Sequence, residues 1–273
     1  MAAHIQGRTS VAGRWTRRLL LALGLAGFAG CSSDPVADGC SPYGTWQGAI
    51  VGGSADAQGF QRAAAIGVLE VQVSSGEAIV SRLCTLTRIG PGQALTAAHC
   101  VVGGERWRAY LGFGAQGAAP TPGGGCPVAG TEGTPVKAAR VHPTLDLALV
   151  TFDETAPGPI LQIAADLPIV GDRVLIAGYG ETEQNTLGER RYLPSKLAGI
   201  EGDLLLTDSG DGGACVGDSG GPLIGHWDDG QEPVLLGVLS AGNAACRGQD
   251  RFVAASAALP WLASLGYSAP TPR

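Results

Sequence analysis

The chain has 273 residues, 45% hydrophobic and 15% charged, with 44 Gly and 17 Pro. That balance excludes a coiled coil and a charge-rich disordered chain, and many short apolar runs among glycines favour strands and turns, an all-β starting point. A formal net charge of −6 offers no basic footprint, so no nucleic acid is expected as a partner.

Residues 1–30 have the pattern of an export signal. Arg14, Arg17 and Arg18 form a charged start, residues 19–29 an apolar run too short to span a bilayer permanently, and small residues follow. This segment carries four Arg and no acid, so its removal leaves 14 cations against 24 acids, a net charge of −10. Its end, Phe28-Ala29-Gly30-Cys31, resembles the bacterial lipobox, in which the cysteine is lipidated and becomes the mature N-terminus, although Phe28 replaces the usual Leu. Ordinary cleavage near Ala29 with Cys31 incidental is the alternative. Arg17-Arg18 is weakly similar to a twin-arginine signal. The expectation is an exported protein of a bacterial cell envelope, held to the membrane through a lipid on Cys31, or a secreted one.

Residues 31–49 form a short polar tether, and at Ile50 the character changes. Apolar runs then recur at 64–73, 78–88, 93–97, 106–111, 136–141 and 147–152, enough strands for one barrel. The Gly/Pro/Ala-rich stretch 114–134 reads as an exposed loop. After a Pro-containing connector at 157–168, a second series occupies 173–179, 204–207, 221–225, 234–239 and 251–254. Residues 255–265 suit one closing helix, although Pro260 weakens that reading.

The cysteines are Cys31, Cys40, Cys84, Cys100, Cys126, Cys215 and Cys246. Assigning Cys31 to lipid leaves an even number suited to an oxidising compartment. There is no C-x-x-C pair and His is scarce, so no catalytic metal or other cofactor is expected.

Three separated segments carry the groups for acyl transfer: Thr96-Ala97-Ala98-His99-Cys100, Asp146-Leu147-Ala148-Leu149-Val150 and Gly217-Asp218-Ser219-Gly220-Gly221-Pro222. A serine hydroxyl is a poor nucleophile at neutral pH. It needs a base within hydrogen-bond reach, and the base needs a carboxylate to fix its tautomer and stabilise its charged form. Taken singly, each segment has a plainer explanation as a strand end, a strand cap or a turn. In this order, His then Asp then Ser, they resemble the chymotrypsin/trypsin family of serine endopeptidases, and the resemblance covers residues 50–273.

The resemblance implies two six-stranded antiparallel β-barrels, at about 50–156 and 165–254, with the active site in the cleft between them and a C-terminal helix. It implies His99 as base, Asp146 as its orienting carboxylate, Ser219 as nucleophile, and the N–H groups of Gly217 and Ser219 as the oxyanion hole. It implies bridges Cys84–Cys100 and Cys215–Cys246; Cys40 and Cys126 remain, and a propeptide cysteine in chymotrypsin suggests that they pair. Ile50-Val51-Gly52-Gly53 is similar to the new N-terminus of an activated zymogen, whose amine pairs with the Asp before the nucleophile, here Asp218. Residue 49 is Ala, so a protease other than a basic-specific one would have to cut. For substrate binding the family pattern points to Gly213 at the pocket floor, where trypsin has Asp, and to Ser240 and Gly242 on the wall, with Ala241 replacing a common aromatic residue. Ungapped counting from Leu259-Pro260-Trp261 puts Asp250 at the floor, favouring Lys or Arg before the cut; a shift of one residue puts Arg251 there and favours an acid. The function implied is an endopeptidase acting on proteins or peptides. A catalytically silent homologue acting as a surface binding module and an esterase are the rivals. His142 and His226 have no assigned role.

Overall fold

Strand β1 (Ile66–Ser75) is buried without interruption from Ile66 to Gln72, because both of its faces pack. Leu69 and Val71 point into a core shared with Leu86, Ala94 and Val150, whereas Ile66 and Val68 join a second core that includes Leu175 and Val238. Side chains alternate across a strand, so burial on two sides needs apolar residues on both, here Ile66 and Val68 on one and Leu69 and Val71 on the other, while the buried Glu70 accepts from the Tyr110 and Ser81 hydroxyls at 2.9 and 3.0 Å. Each fully buried Leu or Ile contributes about 1.5–3 kcal/mol over its exposed state.

The computed structural model describes residues 50–54, 60, 62–75, 78–111, 133–153, 158–180 and 190–268. β1 continues into β2 (Ala78–Gly90), β3 (Gln93–Thr96), β4 (Arg106–Tyr110), β5 (Thr134–Val141) and β6 (Ala148–Phe152). They close a barrel in the order β1-β2-β3-β6-β5-β4, sealed by antiparallel pairing of β4 with β1. A one-turn helix α1 (Ala98–Val101) follows β3.

The second half contains β7 (Gln162–Ile163), β8 (Arg173–Gly178), β9 (Arg191–Glu201), β10 (Leu204–Asp208), β11 (Pro222–Gly225), β12 (Val234–Ala241) and β13 (Gln249–Ala254). Six of them run β11-β8-β9-β10-β13-β12, and pairing of β11 with β12 closes the ring. These are the two antiparallel barrels that the sequence led us to expect, a chymotrypsin-like fold. β7 adds to β12 in parallel as a seventh strand.

Two strands had no counterpart in the sequence reading. β7 has only two residues. β9 contains Pro194 and Gly199, which argue against an interior strand; it pairs on both sides nevertheless, and a register shift between Leu206 and Thr207 of β10 absorbs an extra residue near Gly199. The closing segment also differs from one continuous helix. A tight turn at Ala255–Ala258 precedes α2 (Leu259–Ser264). Pro260 lacks the N–H that a continuous helix would aim back at residue 256, so the regular helix starts beside it.

Candidate active site

β3 and β6 are antiparallel neighbours, with Thr96 opposite Ala148. The residues just after β3 and just before β6 therefore meet at one end of the barrel, and these are His99 on α1 and Asp146. The contact is double: the His99 main-chain N–H donates to Asp146 Oδ1 at 2.9 Å and its ring Nδ1 lies 2.8 Å from Oδ2. With Nδ1–H committed to the carboxylate, Nε2 is the ring atom left to accept a proton. The ring is half-exposed and the carboxylate 28% exposed.

Asp146 also accepts a hydrogen bond from the second barrel, where Ser240 Oγ on β12 reaches its Oδ2 at 2.6 Å. Burial by itself would raise the Asp146 carboxyl, but the bonds from the His99 ring, the Ser240 hydroxyl and the His99 N–H outweigh it and hold the group at about 2. Asp146 thus stays ionised through the working range of any imidazole base. The sequence pattern points to the main chain of Ser240 for the substrate wall; the part that its hydroxyl plays, steadying the carboxylate, was not foreseen.

The turn before Asp146 is shaped by His142, whose Nδ1 accepts from the N–H groups of Thr144 and Leu145 at 3.2 and 3.0 Å. Its ring meets Trp261 edge-on at 5.0 Å between centroids. Burial lowers its pKa, with Asp203 opposing, which suits a neutral ring accepting at Nδ1. Sequence reasoning left this residue without a part to play. His226 lies outside the site, pairing with Asp229 at 2.7 Å beside an open groove of about 590 Å³ on the second barrel.

Ser219 sits on a turn with Gly217 at φ 94° and Gly220 at φ 84°, a region that side chains rarely adopt. A Cβ on Gly220 would also collide with Thr96 Oγ1 and the Thr85 carbonyl. The Ser219 carbonyl accepts the Thr85 N–H at 2.8 Å and lies 3.7 Å from Cys100 Sγ. Cys84 precedes Thr85, Cys100 follows His99, and the two cysteines are bonded, so one bridge ties the neighbours of His99 to the main chain of Ser219. Cys84, His99 and Cys100 bring ligand-type atoms within 4.8 Å of one another, but both sulfurs are in the disulfide and neither offers a thiolate.

Among the described residues, the N–H groups of Gly217 and Ser219 have no main-chain acceptor. Asp218 between them is fully buried; its Oδ1 accepts from the Gly180 N–H at 2.7 Å and its Oδ2 from the Cys215 N–H at 2.8 Å. A Cβ on Gly178 or Gly180 would overlap the Asp218 carboxylate. Ile50 is fully buried, packed with Val174, Ile176 and Ala214, and Val51 forms an antiparallel bridge with Gly213 through two 3.0 Å bonds.

Cys215 and Cys246 form the second bridge. Gly213 is crowded: a Cβ there would lie 3.0 Å from the Arg247 main chain and the Cys246 carbonyl. Asp250 is fully buried and its Oδ2 accepts the Ala214 N–H at 3.0 Å. A Cβ on Gly242 would meet the Ala214 carbonyl at 2.7 Å and Asp250 Oδ1 at 3.2 Å. Arg251 is exposed, so of the two registers left open by counting, Asp250 is the residue that faces inward beside Gly213 and Gly242. Burial pushes its carboxyl up to about 6, with the N–H groups of Ala214 and Asn243 opposing; Oδ1 makes no close hydrogen bond. Cys31, Cys40 and Cys126 lie outside the described residues.

Two closed barrels with a His–Asp pair at their junction define the class, a chymotrypsin-like serine protease fold. The sequence pattern of the Trypsin family matches residues 50–262, and the chain belongs to that family. It is 27% identical to Trypsin eta of Drosophila erecta over 204 residues, 62% of this chain and 72% of that one. It is 26% identical to Trypsin eta of Drosophila melanogaster over 185 residues, 56% of this chain and 64% of the relative. Among solved structures it resembles HL collagenase, with a TM-score of 0.58 at 19% identity over 75% of this chain and 94% of that one, a likeness of fold.

Proposed function

We propose that the chain is an exported serine endopeptidase that hydrolyses peptide bonds through an acyl-enzyme. The observation that carries this reading is the doubly bonded His99–Asp146 pair, which leaves His99 Nε2 as a base next to the turn that bears Ser219. Ser219 Oγ attacks the substrate carbonyl carbon while its proton passes to Nε2. The charge on the carbonyl oxygen is taken up by the N–H groups of Gly217 and Ser219, and the imidazolium returns the proton to the leaving amine as the C–N bond breaks. Water then repeats the sequence on the ester and frees Ser219. A fluorophosphonate probe tests this: the wild type is labelled and Ser219→Ala is not. Absence of label on the processed wild type would favour the silent homologue.

Asp250 supports a preference for Lys or Arg before the cut. A buried carboxylate met by main-chain N–H groups and no counter-charge is costly alone and is satisfied by a cationic side chain. Processing in front of Ile50 would free an amine to pair with Asp218, and the burial of Ile50 and the bridge between Val51 and Gly213 support that zymogen reading. Cutting after Ala49 calls for an activating protease that accepts a small residue. Residues 1–30 are read as the export signal and 31–49 as a tether, with Cys31 lipidated and Cys40 bridged to Cys126. The active domain would then stay on the membrane after processing. N-terminal sequencing and mass measurement of the exported protein test the lipid, the cut and the bridge together.

A further inference from the structure

We propose that Thr85 is a positioning residue for the acyl-transfer step: from the first barrel, its hydroxyl holds the oxyanion-binding turn of the second in its reactive shape. The proposal rests on the reading above, in which the Gly217 and Ser219 N–H groups bind the oxyanion. Thr85 lies on β2 and is fully buried. Its Oγ1 meets the Gly217 carbonyl at 3.0 Å and the Tyr179 N–H at 3.1 Å. An N–H can only donate and a carbonyl only accept, so the hydroxyl proton must point at Gly217 and its lone pair at Tyr179. Both partners are used, and the hydroxyl has one orientation.

The main chain of Thr85 completes the hold. Its N–H donates to the Ser219 carbonyl at 2.8 Å, and its own carbonyl accepts Thr96 Oγ1 at 2.9 Å. One residue therefore grips the carbonyls of Gly217 and Ser219, which flank the Asp218 peptide, and is itself anchored to the strand that leads into His99. Gly217 needs such a grip. At φ 94° it uses a conformation open to glycine, and the same freedom would let the turn relax when no substrate is bound. The Gly217–Asp218 peptide lies between the two peptides that carry the donors, and with its carbonyl held by Thr85 and its N–H by the Cys215 carbonyl at 3.1 Å the link between them cannot rotate, so the donors need not reorganise when charge develops.

The test compares Thr85→Val, which keeps shape and removes the hydroxyl, with Thr85→Ser, which restores it. On the processed enzyme, with a Lys-containing peptide amide, the Val variant should lose about 10- to 100-fold in kcat with KM within about twofold of wild type. Its rate of phosphonylation by a fluorophosphonate should fall by a similar factor, and the Ser variant should recover to within about threefold of wild type in both measurements. Near-UV circular dichroism confirms that the variants are folded; should the Val variant fail to fold, Thr85→Ala is read in the same way. Unchanged kcat in the hydroxyl-free variant, a loss confined to KM, or no recovery with Ser would overturn the proposal while leaving the protease reading intact. A wild type that neither reacts with the fluorophosphonate nor cleaves the peptide would overturn both.

Discussion

Ser240 on β12 and Asp146 before β6 are 94 positions apart in the chain, yet the Ser240 hydroxyl donates to Asp146 Oδ2 at 2.6 Å, the same oxygen that faces the His99 ring. Each barrel thus supplies one donor to a single carboxylate oxygen, and the two barrels are pinned together at the His99–Asp146 pair.

Ser240→Ala removes that donor and leaves the oxygen with one partner fewer. We predict a loss of about 1 kcal/mol in stability and roughly tenfold in kcat. Asp146, held at about 2, should move back toward its ordinary 3.8. A carboxyl depressed in the folded state contributes stability above its unfolded value that disappears as pH falls toward the folded one, here between about 4 and 2 and worth about 2 kcal/mol. The acid-unfolding midpoint of the variant should therefore shift upward, and an unchanged midpoint would count against the depression.

Asp250 makes the opposite demand. Its carboxyl is raised to about 6, so keeping it ionised in the folded protein costs stability above that pH and nothing below the unfolded value. Asp250→Asn should be more stable than wild type by about 3 kcal/mol at pH 8 and equal to it at pH 3.5. The same substitution should lower kcat/KM for Lys and Arg peptides about 100-fold or more while sparing those with small apolar residues. In the wild type, the ratio of Lys to Ala cleavage should drop as pH falls below about 6; taking the ratio cancels the titration of the shared base. A ratio that stays flat across this range would show that the carboxylate does not meet the substrate.

Gly217→Ala should be compared with Gly171→Ala. Both glycines have positive φ, 94° and 100°, and Gly171 has nothing within 4 Å of an added Cβ. Each substitution forces a side chain into a strained region, costing about 1–2 kcal/mol. The Gly171 variant should keep full kcat, whereas the Gly217 variant should lose about 100-fold through its oxyanion donor. Equal activity in the two would mean that the Gly217 N–H does not serve the reaction.

Gly180→Ala drives a methyl group into the buried Asp218 carboxylate, where the Gly180 N–H now donates at 2.7 Å. Moving that carboxylate strands a buried charge, so a stability loss of at least about 3 kcal/mol is expected. Calorimetry at neutral pH checks it, and a loss under about 1 kcal/mol would show that the turn can yield.

Residue chemistry and chain order were legible without coordinates. A tight glycine turn around Ser219 and the recurring apolar runs are local features written in consecutive residues. β9 was hidden because Pro194 and Gly199 break the local strand signal, and its place is decided by pairing with β8 and β10 on either side. Thr85 was hidden for a different reason: its bond to Gly217 spans 132 positions, and a threonine within a strand looks like any other. By itself the sequence determined which groups could transfer a proton and in what order they occur. Tertiary structure alone decided that Asp250 and not Arg251 turns inward, that Ser240 steadies Asp146, and that Thr85 grips the turn. Hydrogen bonds act over about 3 Å in space and leave no trace along a chain until both barrels have closed.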